Sequence, residues 1–329
     1  MVSKDVVKQQ KTEKRTMYYG KGDVFVYRTN ASPLEGIKAI PESSFSGRKN
    51  VILGMDLKVA LKGDAFLSSF TDGDNSLVIA TDSMKNFILR KAAFFNGSTM
   101  EDFLQFISKE FLNTYSHISS VSLSGDQLLF HEVPIPSTSG FQTSDLLFQQ
   151  EESVKPFAKV EVRRMDTEYK VMEQLSGIQG LRLIKVKESS FYGYIQDEYT
   201  TLPEAYDRPL FLYLNMFWAY ENPEDATGIK PDRYVSAEQV AAIAYTVFHE
   251  MNCPSIQNLL YQIGLRVLMR FPQLVEISFE SNNRTWETVV EEAKDERGGK
   301  VYTEPRPPYG FQGFSMTRED LLAAERAEK

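Results

Sequence analysis

The sequence predicts an α+β fold made of two tandem copies of one unit, each with two strand hairpins and two helices. Three observations carry this reading. Several stretches alternate apolar and polar residues with the period of a half-buried strand. Four others carry apolar residues at helical spacing. A shift of 156 positions lays the second helical stretch on the fourth. At 329 residues the chain also exceeds what one core ordinarily needs.

Taken in order, Gly20-Lys21-Gly22-Asp23 leads into a strand pattern, Val24-Phe25-Val26-Tyr27. Val51 to Leu61 sets Val51, Leu53, Met55, Leu57, Val59 and Leu61 on one face, with Asp56 and Lys58 on the other. Lys62-Gly63-Asp64, Asp72-Gly73-Asp74-Asn75 and Ser124-Gly125-Asp126 read as turns. Leu77 to Ile79 reads as a short strand feeding a helix that starts near Asp82. The second helix spans Thr99 to about Thr114. Its stripe is Met100, Phe103, Leu104, Ile107 and Phe111, and Ser98 or Thr99 followed by Glu101 and Asp102 marks its start. Val160 and Val162 alternate with charged neighbours. Leu210 to Trp218 is nearly all apolar, as for a strand buried on both faces or across an interface. The third helix covers about Val235 to Phe248. The fourth runs from Ser255 to about Phe271, where Pro272 stops it.

The 156-residue shift sets Leu104 on Leu260, Ile107 on Ile263 and Leu112 on Leu268, the strand Val121-Ser122-Leu123 on Ile277-Ser278-Phe279, and Thr81-Asp82 on Ala237-Glu238. The resulting division is a disordered lead at 1–15, a first unit at 16–150, a second at 151–315 and a C-terminal tail at 316–329. The boundary follows a loop from Pro134 to Gly140. Asn283 to Lys300, rich in charge, reads as a surface segment.

Composition removes several function classes. The net charge of −8 argues against nucleic acid, whose binders draw affinity from a basic surface. A single cysteine, Cys253, leaves no internal disulfide and no multi-cysteine zinc site, and fits a reducing compartment. No apolar run approaches the roughly 20 residues of a membrane span. The lead lacks the apolar core of a signal peptide, so the cytoplasm is expected. His117, His131 and His249 stand far apart, without the spacing of metal ligands. No phosphate-binding or dinucleotide glycine pattern is present, and no nucleophile elbow.

The chain resembles urate oxidase (uricase), most of all the bacterial, Bacillus-type branch. The resemblance is carried by Tyr19 to Val24, Asp74 to Asn86, Phe191-Tyr192-Gly193-Tyr194, Asp197 to Leu202, Asp207-Arg208, Ser255-Ile256-Gln257 and Thr303 to Phe311. These segments run in family order from about residue 16 to 315. The resemblance implies two tandem tunnelling-fold (T-fold) units, each an antiparallel sheet with helices on one face. Two chains would close a β-barrel, and two barrels would stack into a homotetramer with active sites between subunits. It further implies an oxidoreductase that turns urate, O₂ and water into 5-hydroxyisourate and hydrogen peroxide, with no metal or organic cofactor. Another T-fold enzyme acting on a purine or pterin, or a non-catalytic purine-binding oligomer, stands as the alternative.

Urate is a flat, electron-rich anion with carbonyl and N–H groups on its edges. On the resemblance, Phe191 would stack on its plane. Arg208 would offer a planar fork that Lys cannot. The Gln257 amide would both accept and donate, beside the Ile256 N–H in the first turn of a helix. The Thr81 hydroxyl and the Asp82 N–H would hold the five-membered ring. Lys21 would act as base through Thr81, which requires its amine to be neutral at least transiently. Asn282 would hold O₂ or water above the ring. By residue type alone, Phe191 also reads as strand packing, Arg208 as a surface ion pair with Asp207 or Glu204, Thr81 as a helix cap and Gln257 as an ordinary helix-start residue. Many family members carry a histidine two residues after the Asn. Here Arg284 stands there, and a guanidinium cannot shuttle a proton near neutral pH.

Overall fold

The computed structural model describes residues 16–152, 154–166, 168–293 and 299–327. The predicted disordered lead at 1–15 lies outside them. The strands are β1 (Tyr18–Thr29), β2 (Leu34–Glu35), β3 (Gly47–Arg48), β4 (Ile52–Lys62), β5 (Ser120–Leu128), β6 (Phe130–Ser137) and β7 (Gly140–Gln150). They continue with β8 (Lys155–Arg164), β9 (Tyr169–Phe191), β10 (Ala205–Tyr220), β11 (Leu274–Thr285), β12 (Thr288–Val290), β13 (Val301–Tyr302) and β14 (Arg306–Thr317). The helices are α1 (Leu67–Thr71), α2 (Thr81–Ala92), α3 (Met100–Thr114), α4 (Ala237–Glu250), α5 (Ile256–Arg270) and α6 (Arg318–Ala327).

Eight strands form one open antiparallel sheet in the order β1-β4-β5-β8-β9-β10-β11-β14. The period of two decides which face is covered. Leu53, Met55, Leu57, Val59 and Leu61 of β4 are all buried toward the helices, as the alternation predicts. The stripe Met100, Phe103, Leu104, Ile107 and Phe111 of α3 is buried against them. Each such side chain contributes roughly 1.5–3 kcal/mol relative to leaving it exposed. One core joins β1, β4, β5 and β8 to α2 and α3. A second joins β9, β10, β11 and β14 to α4, α5 and α6.

Helix signals match closely. Thr99 caps α3 by accepting from the Asp102 N–H (3.2 Å), and Ser255 caps α5 by accepting from the Asn258 N–H (3.1 Å). Met100 and Ile256, the first residues of two fifteen-residue helices, stand 156 positions apart, as do Thr81 and Ala237 at the starts of α2 and α4.

Four expectations need correction. Leu77 to Ile79 is not a strand; the Ile79 N–H is taken by the Tyr19 hydroxyl (2.8 Å) instead of a ladder. Ser124-Gly125-Asp126 is no turn but the middle of β5, with Gly125 between Leu57 and Ala158. Its glycine serves close approach, since a Cβ there would sit 2.2 Å from the Asp56 carbonyl oxygen. Pro134 to Gly140 is not a loop but the tip of the β6–β7 ribbon. A two-stranded ribbon leaves one side of each strand unpaired, so Pro134 and Pro136 forfeit no needed donor. Of the two readings of Leu210 to Trp218, burial of both faces within the chain fails: in β10 Leu210, Leu212, Leu214, Met216 and Trp218 face the helices while Phe211, Tyr213 and Phe217 stay half-exposed. The expected C-terminal tail begins in the last residues of β14 and continues as α6 through Ala327. Leu321 of α6 is buried, and Arg318 donates to the carbonyl oxygens of Leu268 (2.6 Å), Leu274 (2.7 Å) and Phe271, two of them at the end of α5 where helical partners run out. Of the predicted surface segment, residues 283–285 belong to β11 and 288–290 to β12, while 294–298 lie outside the described residues.

The two halves also meet away from the sheet. The start of α3 faces the start of α4: Thr99 Oγ1 donates to the Ala226 carbonyl (3.0 Å), and the Tyr234 hydroxyl reaches Glu101 Oε2 (3.5 Å). Arg48 spans the same junction, donating to both carboxylate oxygens of Glu238 at 2.7 and 2.8 Å and to Gln127 Oε1 at 2.8 Å.

Candidate active site

The sequence-predicted residues gather in two places. The first is the β1–α2 corner. A bulge separates Lys21 from Val24, with Asp23 in the left-handed region (φ 52°). Such a bulge re-aims the side chains beside it. Gly20 permits the close packing of this bend on β4, because a Cβ would lie 1.8 Å from the Val59 carbonyl oxygen. The bend carries Lys21 toward the start of α2, where its charge acts on Asp82. Hydrogen bonding to Lys85 (2.6 Å) is the larger cause holding the Asp82 carboxyl below its ordinary pKa, and Asn86 donates to it as well (3.0 Å). Thr81 does not cap the helix. Ala80 holds the cap position, and the exposed Thr81 hydroxyl makes no hydrogen bond among the described residues. The first-turn N–H groups of α2, including that of Asp82, have no partner within the helix.

The second place is the far end of β9 and β10. The Arg208 guanidinium carbon stands 5.2 Å from the Phe191 ring centroid, and Tyr194 stacks on that ring at 4.7 Å and 15°. The ion-pair reading of Arg208 fails. Asp207 accepts from the Glu188 N–H (2.6 Å), Glu204 accepts from the Gly193 N–H (2.8 Å), and the buried Arg208 Nε has no partner. Burial without a carboxylate holds the Arg208 pKa below its ordinary value, against a smaller opposite effect of Tyr194. Ser189, paired with Arg208 in the ladder, buries a hydroxyl that is also unpartnered. Ser190 N–H bonds the Cys253 carbonyl (3.1 Å), tying this corner to the start of α5. There Ile256 is buried in the core and Gln257 is exposed. A half-buried, unpaired cation, an aromatic ring and a helix N-terminus thus share one corner, a setting for a planar anion.

Asn282 and Arg284 follow on β11. Asn282 pairs with Tyr213, five residues beyond Arg208 along β10, and its buried Oδ1 has no partner. No hydrogen bond or ring contact among the described residues joins it to Phe191 or Arg208. Arg284 lies between two rings, 5.2 Å from Tyr213 and 5.4 Å from Tyr309, with an unpartnered Nε. Sequence reasoning missed Ser189, Tyr194, Tyr213 and Tyr309 as neighbours of the site. Tyr194 and Tyr309 sit within segments that carry the resemblance, but Ser189 and Tyr213 carry no signal apart from strand position.

Four strands separate β1 from β10, so the two places lie roughly 24 Å apart at about 4.8 Å per inter-strand step. A cavity of about 770 Å³, with Lys62, Asp64, His117 and Arg163 in its lining, contains none of the predicted residues. Among the described residues no three His, Cys, Asp or Glu side chains group as a metal would require. None of the described helices is long and apolar enough to cross a membrane.

The family model described as uricase matches residues 17–161 and 174–312. The chain is 53% identical over 307 residues to the uric acid degradation bifunctional protein PucL of Bacillus subtilis, covering 93% of this chain and 62% of that protein. It therefore spans less than two thirds of that relative's length. It is 52% identical to the uricase of Halalkalicoccus jeotgali, covering 93% of this chain and 99% of the relative. The crystal structure of a uricase from Bacillus fastidious superposes with a TM-score of 0.91 at 55% identity, covering 95% of this chain and 97% of that one. By the extent of these matches, the chain belongs to the uricase family.

Proposed function

We propose that this chain oxidises urate by O₂ and water to 5-hydroxyisourate and hydrogen peroxide without a metal or organic cofactor. Urate gives up two electrons and two protons, O₂ takes them as H₂O₂, and water supplies the new hydroxyl. The observation that carries the reading is the unpaired Arg208 guanidinium over Phe191 beside the first turn of α5, in a chain of this family. Arg208 and Gln257 bind the edge of the purine, and Phe191 its plane. Since Tyr194 already stacks on Phe191, urate displaces it or takes the other face.

The internal repeat supplies the rest of the site. Within one chain the start of α3 faces the start of α4. The equivalent joint sets the start of α5, with Gln257, against the start of α2, with Thr81 and Asp82, and only a second copy can provide it. Likewise β8 pairs with β9 inside the chain, so their counterparts β14 and β1, both free sheet edges, pair between chains. Two chains close a barrel of T-fold units on this scheme, the half-exposed face of β10 lining it, and stacking gives a homotetramer. The unit boundary falls between β8 and β9, later than residue 150, because Ala158, Val160 and Val162 pack in the first core. Lys21 removes a urate proton through Thr81, and Asn282 holds O₂ or water by its free amide oxygen. With one cysteine, a reducing cytoplasm suits the protein.

One assay tests this. Metal-stripped protein is given urate and O₂, and urate absorbance and peroxide are followed together. Equimolar loss and formation supports the reading. Binding without turnover, or urate loss without peroxide, overturns it.

A further inference from the structure

The junction between the halves repeats the composite site with different residues in it. Glu101 stands 156 positions before Gln257, and Glu238 the same distance after Asp82. The two positions proposed to meet across subunits, Gln257 and Asp82, are far apart in one chain. Their counterparts, Glu101 and Glu238, both lie within the electrostatic reach of a single guanidinium, that of Arg48. Arg48 holds Glu238 by two parallel hydrogen bonds of 2.7 and 2.8 Å and Gln127 by a third of 2.8 Å. Glu101 is 4% exposed and accepts from Ser176 Oγ at 2.6 Å. Behind Arg48 lies a cavity of about 510 Å³ that also borders Phe45, Asn50, Phe130 and Glu238. The Arg48 guanidinium carbon stands 5.6 Å from the Phe45 ring centroid.

The two sites are mirror cases in charge. The composite site presents a cation and an amide to a planar anion. The junction presents two carboxylates, an amide oxygen and a ring, which suit a planar cation with N–H groups on its edge. We propose that the junction is a second copy of the composite site, converted into a guanidinium-binding site and closed by the chain's own Arg48. Burial opposes the charge on Arg48, but Glu238, joined by Tyr234 and Glu101, outweighs it and holds the guanidinium pKa above its ordinary value. The proposal draws on the proposed function only for which positions form the composite site.

The test is chemical rescue. Arg48→Ala leaves the two carboxylates and opens the site to the neighbouring cavity. Its Tm is measured against guanidinium and methylguanidinium at low millimolar concentration, with sodium chloride at equal ionic strength as reference. Any ion bound only by the folded state raises Tm, with an onset near its dissociation constant and logarithmic growth above it. The variant is expected to show such a rise with both guanidinium ions and none with sodium. Wild type, whose site is full, is expected to show only a monotonic fall. Adding Glu238→Gln to the variant is expected to raise the concentration at which the rise sets in at least tenfold. Should Arg48→Ala not fold alone, its refolding yield is read across the same series, and a maximum at low guanidinium supports the proposal. A monotonic fall in Tm, a response equal to that of sodium, or no recovered fold at any guanidinium concentration overturns it. None of these readouts uses urate turnover, so failure here is separate from failure of the proposed activity.

Discussion

Arg208 lies with its guanidinium carbon 5.2 Å from the Phe191 ring centroid while its buried Nε has no hydrogen-bond partner among the described residues. A half-buried cation ordinarily finds a carboxylate, and two lie within four residues of it, yet Asp207 and Glu204 are each occupied by backbone N–H groups. The arrangement keeps a planar donor fork free beside an aromatic plane.

Arg208→Lys retains the charge and loses the fork. A loss of roughly 1.5–3 kcal/mol in transition-state stabilisation is expected, the scale of a hydrogen bond to a charged group. Steady-state kcat/KM for urate measures it. Wild-type kcat/KM in the variant would remove Arg208 from the site.

Assembly is the second expectation. Two half-sites roughly 24 Å apart cannot act together within a chain. Sedimentation at micromolar concentration is expected to give four chains, and dilution below the dissociation constant of the assembly is expected to abolish turnover. A monomer that still oxidises urate contradicts the composite site.

Much of this fold was legible, and the reasons differ by element. The stripe of α3 and the caps Thr99 and Ser255 sit where local chemistry decides the structure, so the sequence located them to within a residue or two. The 156-residue spacing of the helix starts was visible because the residues that begin and stop each helix are written locally. Gly125 and Pro134 misled because each residue type has two uses. A glycine permits close approach as well as a turn, and a proline is tolerated on a ribbon edge as well as in a loop. The free state of Arg208 was not legible. It depends on Asp207 and Glu204 being claimed by distant backbone groups, which only the folded chain reveals.

Arg284 is expected to matter first as a packing cation. Its guanidinium lies over both Tyr213 and Tyr309. Arg284→Gln is expected to cost about 1–2 kcal/mol of stability through the two contacts together, and Arg284→Lys less. Thermal or denaturant unfolding of the two variants gives the comparison, and equal stability of both with wild type removes this role.

Glu101 gives a pH-dependent expectation. Burial raises its pKa, a shift that Ser176 and Arg48 only partly offset. A carboxyl whose folded pKa lies above its unfolded value of about 4.3 stabilises the fold most when protonated, and that contribution falls as pH rises through the folded pKa. Glu101→Gln keeps an acceptor for Ser176 and cannot ionise. The variant's Tm relative to wild type is therefore expected to be more favourable at neutral pH than near pH 4. A difference that does not vary with pH would mean that Glu101 does not titrate differently in the folded chain.

The proton relay is the last expectation. The bulge after Lys21 brings its charge to bear on Asp82, next to a Thr81 hydroxyl that neither caps α2 nor bonds elsewhere. An unbound hydroxyl between an amine and a substrate is what a two-step proton transfer needs. Lys21→Met keeps length and removes the amine, and Thr81→Ala removes the hydroxyl. Groups that act as a unit are strongly non-additive, because losing either one already disables the step. The double variant is therefore expected to fall little below the worse single variant in kcat/KM. Gln257→Ala, which acts by binding the substrate edge, is expected to lower the activity of Lys21→Met by its full separate factor. Additive losses for Lys21 and Thr81 would mean that the two residues serve the site independently, and Lys21 would then have to reach urate without Thr81.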